Sequence, residues 1–415
     1  MRILVLCFFI SLSLLSHAQR ECVSPTYIET IKNSNPSVAK AIADAETFSS
    51  RPIAGRMNGG ASNGSVIKIP VVVHVVYNNA AQNISDAQIQ SQIAALNRDF
   101  RRDNADSVNT PSRFSSVAAD VAIEFSLATA DPSGAPTTGI VRKYSGVSEW
   151  ANDDKIKFSA QGGDNAWDSK DYLNIWVGAM HRMIGYSSTP GGPADKDGIV
   201  ITPSVFGTIN TTAPYNMGRT AVHEVGHWLG LKHIWGDTYC GDDGIDDTPK
   251  QGNYTPGCPS GFRSSCSNGE WGDMYMNYMD FTYDACMNLF TNGQKVKMRG
   301  LFAGGGPRAS MLESKGLAKP WNFTIKTLEV TAAPITTSIS IYPNPANNNI
   351  TINFGAATDW VGKKLRILNI TGVLQQTVVI RSQTQKIDLS TMSPGVYLLQ
   401  GSAGDQKFSQ AFVKQ

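Results

Sequence analysis

Long apolar runs are nearly absent from this sequence of 415 residues. The one candidate, Ile3 to Leu15, is shorter than the ~20 residues a bilayer-spanning helix needs, so no transmembrane anchor is expected. Charge is close to balanced as well: 36 Lys and Arg against 34 Asp and Glu leave +2. No basic cluster stands out, so neither nucleic acid nor an anionic membrane is an expected partner. Long repeats and low-complexity tracts are missing, which excludes solenoid and fibrous classes. Histidine and cysteine number only six each, and no two cysteines have C-x-x-C spacing, which speaks against a zinc ribbon.

Scarcity makes clustering informative. Three of the six histidines lie within His223-Glu224-Val225-Gly226-His227-Trp228-Leu229-Gly230-Leu231-Lys232-His233. The pattern H-E-x-x-H-x-x-G-x-x-H is a zinc signature. On a helix, His223 and His227 project from one face and reach one ion. Gly230 lets the chain leave the helix through a left-handed turn, bringing His233 back as a third ligand. Three imidazoles leave one tetrahedral position open, as catalytic rather than structural zinc requires. Glu224 neighbours the first ligand and suits a general base. The competing reading is an amphipathic helix with core histidines, for which Val222, Val225 and Leu229 supply an apolar face. His74, on an apolar strand, reads as a satisfied core residue.

The N-terminus reads as an export signal over residues 1–18: Arg2, the apolar run, and Ser16-His17-Ala18 before Gln19. The remaining chain then meets an oxidising compartment. Cys7 leaves with the signal, so five cysteines remain. Cys240, Cys258, Cys266 and Cys286 form two disulfides with three possible pairings, a second zinc site being the alternative. Cys22 is left over. An intermolecular disulfide and an inert thiol are two explanations; the third is a thiolate filling the open zinc position of a zymogen. Residues 19–63 accordingly read as a pro-segment, with Arg51 and Arg56 before a flexible stretch from Asn58 to Gly64.

In the segment 64–316, Ser65 to Tyr77 is a buried strand. Ser85 and Gln88 predict a capping box for a helix carrying Ile89, Ile93, Leu96 and Phe100. Further strands are expected at Val121 to Leu127, Leu173 to Val177 and Gly198 to Thr202. The loop Cys240 to Thr248 holds four aspartates without EF-hand spacing and reads either as a calcium cradle or as a solvated turn. Residues 317–338 read as a linker. From 339 to 415 apolar and polar residues alternate in short runs, which indicates a small β-sandwich.

Four places carry a family resemblance: Gly218-Arg219-Thr220-Ala221-Val222 leading into the histidines, Asp247-Thr248-Pro249, Asn277-Tyr278-Met279-Asp280, and Asp284 to Thr291. Together they resemble the pappalysin family of metzincins. The resemblance implies an α+β catalytic domain: a mixed sheet, two long helices and an irregular lower half stapled by disulfides. It implies a methionine turn at Met279 beneath the metal, and pairings Cys240–Cys266 and Cys258–Cys286. It also implies calcium at Asp243, Asp246, Thr248 and Asp247, and a cysteine switch at Cys22. Relatives carry a tyrosine where this chain has Phe281, with Tyr283 two residues on as a substitute at the substrate pocket. Asp284 matches an acidic position at the floor of the pocket after the scissile bond, where it would favour Arg or Lys. At the far end, Ile341-Tyr342-Pro343-Asn344-Pro345, Asp388-Leu389-Ser390 and Pro394-Gly395-Val396-Tyr397 resemble the sorting domain of type IX secretion. A carbohydrate-binding or Ig-like module is the alternative for that unit.

The expectation is a secreted or surface-attached zinc metalloendopeptidase, monomeric, acting on proteins or peptides and exported by the type IX machinery. The alternative is a secreted metal-binding adhesin or carbohydrate-binding module without proteolytic activity.

Overall fold

The computed structural model describes residues 22–50, 65–318, 339–355, 360–369, 373–404 and 406–415. The export signal, the Arg51–Gly64 junction and all but the start of the linker lie outside them. The chain divides into two compact units, Met1–Thr324 and Ile325–Gln415.

The first unit opens with two helices, α1 (Ser24–Ser34) and α2 (Pro36–Ser50). Both start at or next to proline, whose fixed φ suits a first helical turn. Strand β1 (Ile67–Tyr77) follows, buried at every position from Ile69 to Val76. Burial on both faces explains why it reads as one continuous apolar run rather than an alternation. Helix α3 (Asp86–Phe100) starts at Ser85, whose side chain accepts the Gln88 amide. The expected capping box is only half made. The buried Gln88 side chain turns instead to the carbonyls of Pro203 and Phe206, at 3.0 Å each.

Strands β2 (Ile123–Leu127) and β3 (Ile140–Tyr144) lie parallel to the first and second halves of β1. Strand β4 (Leu173–Val177) runs parallel on its other side. Strand β5 (Gly185–Ser187) forms the sheet edge, antiparallel to β6 (Ile199–Ile201), which is parallel to β4. Side chains alternate across the sheet. Val71, Val73, Val75, Ile175, Val177, Ile199 and Ile201 face α3 and α4 (Arg219–Trp228). Val76, Trp176, Tyr186 and Val200 make a second core on the opposite face. His74 lies between β1 neighbours with Nδ1 2.6 Å from Asp164 and Nε2 3.0 Å from Asn174, a satisfied core residue.

Below α4 the chain has little regular structure until α5 (Asn292–Gly300). Disulfides Cys240–Cys266 and Cys258–Cys286 close this region. Cross-links remove conformations chiefly from the unfolded chain, and here they do so where ladder hydrogen bonds are few.

The second unit is all antiparallel. One sheet orders β7 (Ser340–Tyr342), β8 (Asn349–Asn353) and β11 (Thr384–Asp388) with β8 central. The other orders β10 (Leu374–Val379), β9 (Lys364–Asn369), β12 (Gly395–Ala403) and β13 (Gln406–Lys414). Ile350, Ile352, Trp360, Leu365, Ile367, Leu399 and Phe412 fill the space between inner faces.

Arg219 ties α4 to α3. Fully buried, its guanidinium meets Asp99 of α3 at 3.2 Å and Asp106 at 2.6 Å, and lies 5.5 Å from the Tyr278 ring. Removing one partner of a buried ion group leaves uncompensated charge, at a cost of about 3–5 kcal/mol. Arg219→Ala should therefore lower unfolding free energy by roughly that amount in denaturant titration. A loss under about 1 kcal/mol would show that the aspartates are solvated without it.

Candidate active site

Helix α4 presents His223, Glu224 and His227 from its buried interior. Gly230, at φ +81°, makes the left-handed exit that a side chain would resist. Its amide donates to the His227 carbonyl, and that of Leu231 to Gly226. The return brings the third histidine in. Nε2 of His223 lies 3.2 Å from Nε2 of His233 and 3.1 Å from that of His227, and the His227–His233 pair is 3.1 Å apart.

Each ring is turned by its other nitrogen. His223 Nδ1 is 2.7 Å from the Tyr278 carbonyl, His227 Nδ1 is 2.8 Å from the Leu231 carbonyl, and His233 Nδ1 is 2.5 Å from Asp237. With Nδ1–H donating outward, all three Nε2 lone pairs point inward. Burial and the neighbouring His233 hold the His227 imidazole down to about 3, so it is neutral. Three ring nitrogens converging at such distances fit a shared cation. A tetrahedral ion with bonds of about 2.0–2.1 Å places ligand nitrogens roughly 3.3 Å apart, close to what the rings adopt. Among the described residues, Cys22, His223, His227 and His233 are the only group of three or more His, Cys, Asp or Glu side chains suited to hold a metal.

Cys22 completes this group from just before α1. Its Sγ lies 3.5 Å from His227 Nε2 and 3.8 Å from Glu224 Oε2. Its backbone pairs with Gly185 of the edge strand β5, in parallel. Two residues on, Ser24 donates its hydroxyl to Glu224 Oε2 at 2.8 Å and accepts the Ser187 amide at 2.9 Å. Sequence reasoning missed Ser24, because a serine at a helix start reads as capping. Asp237 was missed too, although an acidic residue four positions after a ligand histidine is a usable signal for its orienting partner.

Met279 lies beneath α4. A Cβ built on Gly226 would meet its Sδ at 2.4 Å, which explains the glycine inside the helix. Asn277 fixes the turn by accepting the Met279 amide at 2.9 Å. Phe281 packs its ring 4.7 Å from His233 and 5.6 Å from His223, with no donor to offer. Tyr283 pairs edge-on with Tyr215 at 5.8 Å. Asp284 is fully buried at the start of α4, where Oδ2 accepts the amides of Met217 at 2.9 Å and Arg219 at 3.2 Å. A carboxylate there complements the positive end of the helix dipole.

The acidic loop is divided. Thr248 Oγ1 donates to Asp243, whose carboxyl is pushed up to about 7 by burial. Asp247 turns away to accept Thr291 Oγ1 at 2.6 Å and the Gly293 amide at 2.8 Å, capping α5. Asp246 is exposed.

Comparison with known proteins agrees with this geometry. A family model described as pregnancy-associated plasma protein-A matches residues 158–303, and one described as a secretion system C-terminal sorting domain matches residues 340–415. An extracellular metalloprotease of Uncinocarpus reesii is 30% identical over 304 residues, 70% of this chain and 94% of its own. Promirolysin of Tannerella forsythia, solved as a mutant, superposes with a TM-score of 0.64 at 48% identity, over 71% of this chain and 97% of that one. Mature mirolysin with a cleaved peptide gives 0.59 at 52% identity, over 60% and 96%. Among the described residues no helix is long and apolar enough to cross a membrane. The sorting domain and the extracellular relatives mark a protein secreted or attached at the cell surface. On these grounds the chain belongs to the pappalysin family of metalloproteases, with a type IX secretion sorting domain after the catalytic unit.

Proposed function

We propose that this metalloprotease uses zinc, held by His223, His227 and His233, to hydrolyse internal peptide bonds, with Glu224 as the general base. The inward Nε2 triangle, 3.1–3.2 Å on each side, carries the reading. Zinc, when bound, polarises the scissile carbonyl and acidifies water. Glu224, buried beside the triangle, takes a proton from the attacking water as its oxygen bonds the carbonyl carbon. The same carboxyl then gives that proton to the departing amine as the C–N bond breaks. Phe281 offers no hydrogen bond to the developing oxyanion; a bound ion would supply that stabilisation, with Tyr283 as the candidate donor. A metal-binding adhesin has no use for a carboxylate beside an open coordination position.

Latency belongs to the same proposal. Cys22 is the fourth ligand of the zymogen, and Ser24 occupies the oxygen of Glu224 that must accept a proton. With both engaged, neither metal nor base is available to substrate. The cut releasing the pro-segment is expected in the 51–64 junction. Calcium is proposed for the acidic loop at Asp243 and Thr248, with Asp246 able to turn inward. Asp247 is committed to α5 by two hydrogen bonds and joins only if these are given up.

Asp284 is proposed to select Arg or Lys after the scissile bond. Its carboxylate is buried, next in sequence to Tyr283, and a guanidinium would meet it in a charge-assisted pair.

Two measurements follow. Glu224→Ala should keep about one zinc per chain while proteolysis is abolished, and His227→Ala should lose both. Appreciable activity in the Glu224 variant would remove it as base. Asp284→Asn keeps an acceptor for the Met217 and Arg219 amides but removes the charge. Peptide-library profiling of the activated enzyme should show an Arg preference that falls about tenfold in this variant, with thermal stability little changed. An unaltered profile would restrict Asp284 to capping α4.

A further inference from the structure

Helix α1 does more than carry Cys22 and Ser24 to the metal side of the sheet. Tyr27, one turn beyond Ser24, lies on the other side. Successive residues of a strand point to opposite faces. Gly185 and Ser187 of β5 meet the pro-segment beside Glu224, whereas Tyr186 belongs to the core on the far face. Tyr27 packs into that second core, its ring 4.8 Å from the Tyr186 ring and only 3% exposed. The first turn of α1 thus straddles the edge strand.

The cleft that Tyr27 fills has a charged floor. Its hydroxyl donates to Asp154 Oδ1 at 2.7 Å and accepts from Lys157 Nζ at 3.3 Å. Lys157, fully buried, is 3.0 Å from Asp154 and faces the rings of Tyr186 at 4.8 Å, Tyr27 at 5.2 Å and Trp176 at 5.4 Å. Lys196 reaches Asp154 Oδ2 at 3.1 Å, and the Tyr186 hydroxyl donates to Oδ1 at 3.3 Å. Asp154 sits at φ +65°, a left-handed conformation unusual for a residue other than glycine. Burial raises the Asp154 carboxyl, but Lys157, the Tyr27 hydroxyl and Lys196 outweigh it, so the group is ionised. Burial and that charge push the Tyr27 phenol up, so it stays a donor.

Only one kind of side chain meets this floor well. A phenol donates to the carboxylate, accepts from the ammonium, and offers its ring face to the same cation. Phenylalanine leaves both charged groups one partner short. A guanidinium would face two lysines. None of the cleft residues belongs to the pro-segment, so the cleft persists when that segment is cut away.

We propose that this cleft is a tyrosine-binding exosite: it anchors the pro-segment in the zymogen and afterwards remains as a site for the phenol side chain of a peptide. The proposal rests on the zymogen reading above and adds a site on the far face of the edge strand, separate from the metal.

Calorimetry on the processed enzyme tests it, using a synthetic peptide of residues 20–34 with Cys22→Ser, so that no thiolate reaches the metal. This peptide should bind about tenfold or more tightly than the same peptide with Tyr27→Phe, the ratio that a hydrogen bond to a charged group gives. The Tyr27→Ala peptide should bind more weakly still. In enzyme carrying Asp154→Asn, the difference between tyrosine and phenylalanine should vanish; should that variant not fold, the peptide comparison on unaltered enzyme stands alone. Equal affinity of the tyrosine and phenylalanine peptides, or no binding by any of them, overturns the exosite. Binding is read without catalysis, so an enzyme that bound the peptides but cleaved nothing would sink the proposed proteolysis and leave the exosite standing.

Discussion

Three lone pairs aimed at one point repel one another, and that repulsion is the constraint the catalytic unit is built to hold. The Nε2 atoms of His223, His227 and His233 lie 3.1–3.2 Å apart. Three outward hydrogen bonds keep the rings so turned: to the Tyr278 carbonyl, the Leu231 carbonyl and Asp237. Two of these acceptors are backbone, so ring orientation is set by chain path. The chain path depends in turn on Gly230 at its left-handed exit and on Met279 against Gly226. Because orientation is fixed before any ion arrives, little ordering remains to oppose binding.

The proposed latency would use the same preorganised site. An edge strand carries unpaired amides and carbonyls that invite an added strand, and β5 is short and open on one side. The residues leading into α1 take that place, with Cys22 pairing at Gly185 and Ser24 satisfying the Ser187 amide. From that footing Cys22 reaches His227 and Ser24 reaches the Glu224 carboxylate. Lys232 of the catalytic unit also pairs with Glu46 of α2 at 2.5 Å. That pair is half-exposed and contributes little energy, but it marks the far end of the covering helices.

The metal centre was the most legible part of the sequence because its spacing obeys helix geometry and needs no tertiary context. Strand β1 was equally plain from its apolar run. Strand β3 was not, since its Arg142, Lys143 and Tyr144 are exposed and carry no buried alternation. Strand β5, three residues long with glycine first, has no readable period, yet it is the strand that Cys22 pairs with. Gln88 looked like half of a capping box and went elsewhere, because buried carbonyls of a distant loop competed for its amide. The aspartates of the acidic loop looked like one cradle, yet Asp247 was drawn to the amides at the start of α5. The motif alone assigns Gly226 no role, since the sulfur it accommodates comes from Met279, distant in sequence. What local pattern could not supply was, in each case, a partner distant in sequence.

The central claim is that one metal ion joins the three imidazoles to the pro-segment thiolate. Zinc-edge X-ray absorption on the full-length chain tests this most directly. The account predicts three nitrogen neighbours and one sulfur at about 2.3 Å, with the sulfur lost both in Cys22→Ser and after removal of the pro-segment. A full-length spectrum with nitrogen and oxygen neighbours alone would contradict it and reduce the pro-segment to a steric cover.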